Sequence, residues 1–386
     1  MPSRAPVSRA KAYLKKRHDN LEKALAALEL DALLLTHPAD LAYVTNFTGH
    51  DSVVLFTGKG GGKDTHLITD FRYQTQAENE AAWLKTTVRP TGQKMTVAVA
   101  EKLAELKLGR VGFEANFATY GQIEAIREAL DEVGDGEGHD CELEPLEDVM
   151  FQQRKVKDDH EVGLIRKSVA VAEEAFEVVR QHVEPGVTEG YLVGMLISEL
   201  RGRGAEDTAF PVIVAAGANS ALPHYATADA PVKAGEPLLF DWGAVVGGYC
   251  SDLTRTFLLG KCDPKLKEIY KVVLEAQRAA IDTLRPGVTN HQADRAARDV
   301  IVKAGYGEQF GHSLGHGIGR DIHELPSLRQ AGDADELRPG VVVTVEPGIY
   351  LPGLGGVRIE DDVLITHSGC EVLSSLPKTF ADAVID

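Results

Sequence analysis

Four carboxylates and one imidazole in the second half of the chain have the types and spacing needed for metal chemistry: Asp241, Asp252, His316, Glu346 and Glu360. Two segments around the aspartates, 238–242 and 249–258, are predicted strands, and Gly247-Gly248 between them can turn. Because successive side chains of a strand alternate between faces, a hairpin with an even-numbered loop places both aspartates on one face. Two like charges this close are unfavourable unless a cation lies between them.

A second segment repeats the first, so the pairing of carboxylates is hard to attribute to chance. The repeated motifs are Gly235…Asp241-x-Gly243 with Gly340…Glu346-x-Gly348, Gly247-Gly248-x3-Asp252 with Gly355-Gly356-x3-Glu360, and Pro185-Gly-Val-Thr188 with Pro286-Gly-Val-Thr289. At each Pro-Gly-Val-Thr motif one helical stretch ends and another begins. The pattern predicts a duplicated unit in which each copy gives one carboxylate pair to a shared centre.

Such a centre would suit two divalent cations. Four carboxylates neutralise the two ions, and one neutral imidazole completes an oxygen-rich set, which favours Mn²⁺ or Co²⁺ first and Zn²⁺ second. Two metals about 3.5–4 Å apart lower the pKa of a bridging water and stabilise a tetrahedral intermediate, which is hydrolytic chemistry. His312 and His316 have helical spacing, but the glycines at 311, 315, 317 and 319 predict a loop or strand end instead.

The order and spacing of these motifs resemble those of the pita-bread metallopeptidases, in the branch of aminopeptidase P and prolidase, which cleave Xaa-Pro bonds. The resemblance rests on Asp241-x10-Asp252, His312-Ser-Leu-Gly-His316, Asp321-Ile-His323-Glu324, Glu346-Pro-Gly-Ile-Tyr350 and Gly355-Gly-Val-Arg-Ile-Glu360. It implies an α/β amino-terminal domain followed by an α+β pita-bread catalytic domain with a pseudo-twofold axis. It also implies two metal ions per subunit, with Asp252 or Glu360 bridging them, and a homodimer or higher homo-oligomer.

The resemblance further implies roles for individual side chains. The catalytic residues are expected to be His224, His323 and Glu346, with Glu346 as the general base and then the acid. The residues expected to bind substrate are His224, His312, His323, Tyr350 and Arg358.

Three of these expectations have alternatives. His323, with Asp321 and Glu324 around it, could merely be salt-bridged, and the resemblance favours a role in stabilising the intermediate. Arg358 could instead balance the charge of Glu360 and Asp362, and both roles stay open. His224, taken alone, is typical of a structural or surface histidine, and only the resemblance favours a functional role. Tyr225 departs from the small residue expected after this histidine and could narrow the pocket.

The elements expected to position the site fall into two domains, 1–151 and 152–386. In the first, the predicted helices are 10–30, 71–83, 94–106 and 120–132, and the predicted strands are 31–36, 41–47, 52–56, 66–69, 87–89, 110–114 and 141–144. Residues 57–63 resemble a phosphate-binding loop, but Asp64 stands where Ser or Thr is required, so a turn between strands is predicted.

Composition excludes other classes of function. A net charge of −17 would repel a nucleic-acid backbone. Four cysteines without Cys-x-x-Cys spacing indicate reduced thiols and a cytoplasmic protein, and no apolar run is long enough to span a membrane. The basic first 18 residues are compatible with a transit peptide, but the amphipathic run continues past them, which argues against targeting.

The predicted function is removal of an amino-terminal residue that precedes proline from peptide substrates. An Xaa-Pro dipeptidase is the enzymatic alternative, and a non-catalytic binding module on the same fold is the alternative of another class. Methionine aminopeptidase shares the metal motifs but lacks the separate amino-terminal domain. Creatinase shares both domains but lacks the metal ligands.

Overall fold

The computed structural model describes residues 12–58, 64–133 and 140–385. The chain divides into two compact units, Met1–Gln153 and Arg154–Asp386. The division lies two residues after the boundary that the sequence predicts.

The first unit is one six-stranded mixed sheet with helices. Its sheet has the order β4-β3-β2-β1-β5-β6, and the parallel pairs are β3/β4, β1/β5 and β5/β6. Its elements are α1 Ala12–Ala27, β1 Ala32–Leu35, α2 Pro38–Thr45, β2 Val53–Thr57, β3 His66–Thr69, α3 Gln74–Glu80, β4 Lys85–Val88, α4 Met95–Glu105, β5 Arg110–Glu114, α5 Tyr120–Val133, β6 Glu142–Leu146 and α6 Val149–Arg154, whose last residue begins the second unit.

One predicted strand of this unit is wrong. Residues 41–47 were expected to be extended, but α2 (Pro38–Thr45) covers most of them. Pro38 occupies the first turn, where its missing N–H costs nothing, and Asp40 adds a favourable negative charge there. These start signals outweigh the apolar run. The turn predicted at 57–63 joins two strands that are antiparallel, but residues 59–63 lie outside the described residues, as do residues 1–11.

The second unit is built from paired helices and antiparallel hairpins. Two of its sheets, β20-β12-β9-β8 and β14-β13-β15-β18-β19, carry Asp241 and His316, and the other three predicted ligands lie within two residues of a strand in these sheets. Its elements are α7 Asp159–Arg180, α8 Glu189–Gly202, β7 Asp207–Thr208, β8 Ile213–Ala216, β9 Pro237–Trp242, β10 Ala244–Val246, β11 Tyr249–Cys250, β12 Leu253–Leu259, α9 Pro264–Thr283, α10 Asn290–Lys303, β13 Gly315–Gly317, β14 Glu324–Leu328, β15 Val342–Val345, β16 Gly348–Leu351, β17 Gly355–Arg358, β18 Asp361–Ile365, β19 Cys370–Val372, α11 Phe380–Ala383 and β20 Val384–Ile385.

The duplication predicted from the sequence is present in this unit. Thr188 and Thr289 each cap a 14-residue helix, α8 in the first half (159–259) and α10 in the second half (264–365). Each of these threonines also forms an isolated β-bridge, to Pro231 and to Glu336 respectively. Equivalent sequence motifs therefore make equivalent local structures.

Each half has its own apolar core. In the first half, Phe176 on α7 stacks on Trp242 of β9, with ring centroids 4.3 Å apart. In the second half, α9 packs on β15 and β17, and α10 packs on α9 and β14; Ile269 and Val343 are fully buried there. The hairpins thus rest on helices with one face and have the other face free to present polar side chains.

Among the described residues, no helix combines the length and the apolar character needed to cross a membrane. All four cysteines lie in described segments, and they are unpaired thiols, as the sequence predicts.

Candidate metal centre and active site

The first hairpin places Asp241 and Asp252 on one face. Asp241 lies opposite Thr254 across β9 and β12, so Asp252, two residues before Thr254, points to the same side. Gly247 and Gly248 make the tight turn at the tip with φ values of 62° and 74°, a left-handed conformation that glycine adopts without strain. The hairpin that the alternation predicts is therefore confirmed.

The second hairpin also places its two carboxylates, Glu346 and Glu360, on one face. Val345 pairs with Asp361, and Gly348 pairs with Arg358, so the two glutamates fall opposite each other in one continuous register. The two hairpins meet where Glu360 donates its N–H to the Thr254 carbonyl over 3.1 Å. This contact brings the carboxylate pair of one half beside that of the other.

His316 lies on β13, between the two carboxylate pairs. Its Nε2 is 3.6 Å from Asp252 Oδ2 and 3.5 Å from Glu346 Oε1. Its Nδ1 lies 3.1 Å from the Gly317 carbonyl, and burial lowers its pKa to about 4, so the neutral ring carries its proton on Nδ1. That tautomer leaves the Nε2 lone pair available to a metal ion.

Glycines on both sides of His316 allow β13 to lie against its neighbours. A Cβ on Gly315 would lie 2.1 Å from the Thr344 carbonyl oxygen, and one on Gly317 would lie 2.2 Å from that of Leu325. Both glycines are required by close backbone approach. The strand end that the sequence predicts for this segment, in place of a helix, is confirmed.

The five predicted ligands form a largely buried box of four carboxyl groups and one imidazole, and the electrostatics of this box are those of a cation site. Burial raises the pKa of all four carboxyl groups, and neighbouring carboxylates raise the pKa of Asp252 and Glu360 further. For Glu346 the value rises to about 8.

The donor set fits divalent metal ions on geometric grounds as well. Asp252, His316 and Glu360 each offer a ligand atom within 4.8 Å of the others. Among the described residues, the buried Oδ1 of Asp241 has no hydrogen-bond donor facing it. Oxygen ligands that are buried, crowded and short of donors match the preference of hard cations.

Arg358 is buried at the edge of this box and binds Asp241. Its Nη2 is 2.5 Å from Asp241 Oδ2, its Nε donates to Thr254 Oγ1 over 3.0 Å, and its Nη1 donates to the Tyr350 hydroxyl over 3.0 Å. Its ion pair is therefore with Asp241, while the sequence had offered Glu360 and Asp362 as partners.

Tyr350 relays this contact to His312, whose Nε2 lies 3.0 Å from the Tyr350 hydroxyl. His312 Nδ1 lies 2.7 Å from the Ser313 carbonyl, and burial, helped by Arg358, lowers the His312 pKa to about 4. A neutral ring with its proton on Nδ1 accepts a hydrogen bond at Nε2 from the Tyr350 hydroxyl, and the oxygen of that hydroxyl accepts a hydrogen bond from Arg358. Three of the five predicted substrate-binding side chains thus form one hydrogen-bonded chain.

His323 and His224 are exposed side chains. The ring of His323 stands edge-on to His316 with centroids 4.4 Å apart, and burial lowers its pKa. The adjacent Glu324 is buried, accepts the Asp321 N–H over 3.1 Å and pairs with Lys157 over 3.0 Å. The segment that carries His323 is therefore anchored by a buried ion pair, while the imidazole itself reaches solvent.

Tyr225 is half-buried, and its hydroxyl donates to Glu189 Oε2 over 2.9 Å. Glu189 is fully buried in the first turn of α8 and also accepts the Ala216 N–H. Tyr225 stands where the resemblance leads one to expect a small residue, and its side chain is held by this hydrogen bond to the first turn of α8.

Several supporting residues were missed in the sequence. Thr254 Oγ1 donates to Glu360 Oε2 over 2.6 Å, Thr344 Oγ1 donates to Glu346 Oε1 over 3.3 Å, and Asp362 Oδ2 accepts the Asp252 N–H over 3.1 Å. Each threonine lies two residues from a predicted ligand: Thr254 follows Asp252, and Thr344 precedes Glu346. The strand period of two could have identified both.

A duplicated hairpin scaffold around a buried carboxylate and imidazole box defines a metal-dependent hydrolase. The chain belongs to metallopeptidase family M24, whose family model matches residues 163–367, more than half of the chain. Residues 17–156 match the creatinase/prolidase N-terminal domain. The chain is a metallopeptidase with an amino-terminal α/β domain and a pita-bread catalytic domain, as the sequence predicts.

Relatives of this chain include Xaa-Pro peptidases. It is 33% identical to an Xaa-Pro dipeptidase of Pyrococcus furiosus over 94% of this chain and 98% of the relative. A solved Xaa-Pro dipeptidase from Bacillus anthracis matches with TM-score 0.89 and 38% identity over 96% of this chain and all of the other. A solved X-Pro aminopeptidase from Thermotoga maritima matches with TM-score 0.84 and 35% identity over 95% of this chain and all of the other.

Proposed function

We propose that this metallopeptidase hydrolyses the bond between an amino-terminal residue and a following proline, with Xaa-Pro dipeptides as its preferred substrates. The observation that carries the hydrolytic part is the grouping of Asp252, His316 and Glu360 ligand atoms within 4.8 Å. The sequence placed aminopeptidase activity first. The preference for dipeptides is supported by the Xaa-Pro dipeptidases among the relatives, from Bacillus anthracis and Pyrococcus.

Two divalent ions, with Mn²⁺ as the first candidate, would be held by the five predicted ligands: Asp241, Asp252, His316, Glu346 and Glu360. Such ions supply Lewis-acid activation of a water nucleophile and of the scissile carbonyl. The fit is supported by the buried Oδ1 of Asp241 and by the free Nε2 lone pair of neutral His316.

Glu346 is the proposed proton carrier. Proline contributes a tertiary amide whose leaving nitrogen must gain a proton, so a carboxyl group has to take a proton from the nucleophile and deliver it there. Glu346 suits this task because its carboxyl group lies among the five predicted ligands, with Oε1 3.5 Å from His316 Nε2, so it is beside any nucleophile held in the same site.

The exposed imidazoles of His224 and His323 are the proposed donors to the developing oxyanion or to the proline side of the substrate. A well-placed donor of this kind contributes about 2.7–4 kcal/mol to transition-state stabilisation. His312, Tyr350 and Arg358 form the proposed wall for substrate, since their mutual hydrogen bonds fix the orientation of each ring before substrate arrives. The homodimeric assembly and cytoplasmic location inferred from the sequence stay predictions.

A peptide panel tests the proposal. We expect the metal-free protein, prepared with a chelator, to be inactive, and Mn²⁺ to restore hydrolysis of Ala-Pro and Leu-Pro better than Zn²⁺ does. The kcat/KM should be higher for Xaa-Pro dipeptides than for Xaa-Pro-Xaa tripeptides, and Ala-Ala should not be cleaved. Faster cleavage of tripeptides would reverse the assignment to aminopeptidase, and full activity without metal would exclude the metal centre.

A further inference from the structure

Asp294 and Arg298 form a close ion pair on one face of α10. They lie one helical turn apart, and Arg298 binds the carboxylate with two hydrogen bonds of 2.8 Å, Nε to Oδ2 and Nη2 to Oδ1. The Asp294 side chain is fully buried, and that of Arg298 is 27% exposed. A bidentate pair of this kind has a fixed geometry.

This pair also holds the backbone on both sides of His312. Arg298 donates to the Phe310 carbonyl over 3.0 Å and to the His312 carbonyl over 2.8 Å. Asp294 Oδ1 accepts the Leu314 N–H over 3.1 Å. The Arg298 guanidinium also lies over the Phe310 ring, 4.3 Å from its centroid. Three backbone atoms in the loop 310–314 are thus tied to two adjacent side chains.

The fixed backbone determines where the His312 ring can lie. Its Nδ1 contacts the carbonyl of the next residue, Ser313, and its Nε2 contacts the Tyr350 hydroxyl. Both ring contacts depend on the position of the His312 Cα. If the backbone hydrogen bonds to Asp294 and Arg298 were lost and the loop moved, His312 Nε2 would lose its contact with the Tyr350 hydroxyl.

The first half of the unit shows that α10 does not need this pair for packing. Thr188 and Thr289 cap equivalent helices, so Asp294 and Arg298 correspond to Val193 and Ile197 on α8. Those two residues are partly buried apolar side chains packed against the core of the first half. A buried ion pair commonly stabilises a fold no more than an apolar pair of similar volume does. Stability alone therefore does not explain why Asp294 and Arg298 lie beside the loop 310–314.

We propose that Asp294 and Arg298 are positioning residues that hold His312 in place to bind the substrate. The inference rests on the proposed function, in which His312 contacts the peptide. It adds two residues that do not themselves belong to the proposed substrate-binding set.

The test replaces the pair with its first-half counterpart, in the double variant Asp294→Val/Arg298→Ile. This change leaves no buried charge unpaired, but the Leu314 N–H and the Gln330 amide each lose an acceptor, so the protein should fold with reduced stability. We expect KM for an Xaa-Pro dipeptide to rise roughly tenfold with kcat within about twofold, as for loss of one net hydrogen bond used in binding. As a matched control, Glu199→Gln/Arg203→Met removes an i,i+4 ion pair at the end of α8 and should leave KM unchanged.

Repeating the double change in the His312→Ala variant separates a loss of His312 positioning from a general disruption of the fold. In His312→Ala the same double change should alter KM less than about twofold, because the residue being positioned is gone. An equal rise in KM in both backgrounds, or no rise in the parent, would overturn the inference.

A crystal structure of the double variant gives a readout that needs no activity. His312 Nε2 should lie beyond hydrogen-bonding distance of the Tyr350 hydroxyl, and a retained contact of about 3.0 Å would also overturn the inference. If the parent cleaves no Xaa-Pro peptide, the proposed function fails, and this structural readout still decides the positioning role.

Discussion

The first and second halves of the catalytic unit use the same hairpin to present two carboxylates, but they treat the leading carboxylate differently. Asp241, in the first half, receives a 2.5 Å ion pair from Arg358. Glu346, its counterpart in the second half, accepts a 3.3 Å hydrogen bond from Thr344 and stands 3.5 Å from neutral His316. The same backbone position therefore carries a carboxylate in direct contact with an arginine in one half, and a carboxyl group in contact with a threonine and a histidine in the other.

This difference indicates how a duplicated scaffold can divide its tasks. The carboxylate held by Arg358 stays oriented as a ligand, because a buried ion pair is costly to break. The carboxyl group without that partner is the one to which we assign proton transfer. The histidine-bearing segments at 312–316 and 323 also belong to the second half, while His224 is the first half's contribution. Symmetry supplies the ligand geometry, and the departures from it are where we place proton transfer and substrate binding.

The largest expected effect is that of Glu346→Gln. The variant keeps shape and burial but removes the proton carrier, so kcat should fall about a thousandfold, within the range for loss of general acid–base catalysis. Circular dichroism should be that of the parent. The exposed Glu308→Gln, in the same half, should retain full activity. Turnover near the parent level in Glu346→Gln would remove the proposed distinction between the two halves.

The two threonines that support the ligands should differ in a measurable way. Thr254 donates to Glu360 over 2.6 Å and accepts from Arg358, whereas the Thr344 bond to Glu346 is 3.3 Å long. We expect Thr254→Val to weaken Mn²⁺ binding by about tenfold or more, the usual cost of losing a residue that orients a metal ligand. Thr344→Val should weaken it less. Competition titrations with a chelating dye measure both, and the opposite ranking would show that bond length at these sites does not govern ligand orientation.

The smallest expected effect is a pH dependence of stability in the metal-free protein. A carboxyl group whose folded pKa is raised, as for Glu346, binds its proton more tightly when folded, so its contribution is lost as pH rises through about 8. Lowered pKa values of buried histidines act in the opposite direction, but only below about 6.5, where an unfolded histidine titrates.

Between pH 6.5 and 8 the free energy of unfolding of the chelator-treated protein should therefore fall by roughly 1 kcal/mol. Urea denaturation at several pH values measures it. Glu346→Gln should show a shallower slope than Glu308→Gln, and saturating Mn²⁺ should flatten the slope of the parent. Parallel slopes in the two variants would indicate that Glu346 titrates normally.

Much of the fold follows from local pattern. Strand 110–114 and helix 120–132 were predicted within one residue of β5 and α5, because alternation and helical periodicity are strong there. The hairpin carrying Asp241 and Asp252 was also predictable, since strand period and the Gly-Gly turn together determine its register. Helix α2 was not predicted, because a short apolar run has no clear period and its start signals were given too little weight.

Sequence alone predicted the composition of the proposed site, because repetition of a motif and the two-residue period of a strand are local properties of the chain. It could not determine that Arg358 pairs with Asp241, which lies 117 positions away, or that Asp294 and Arg298 hold the loop around His312. Such contacts join elements from different parts of the unit. They depend on how helices and hairpins pack after they form, and only the tertiary structure decides which of several nearby carboxylates a buried guanidinium reaches.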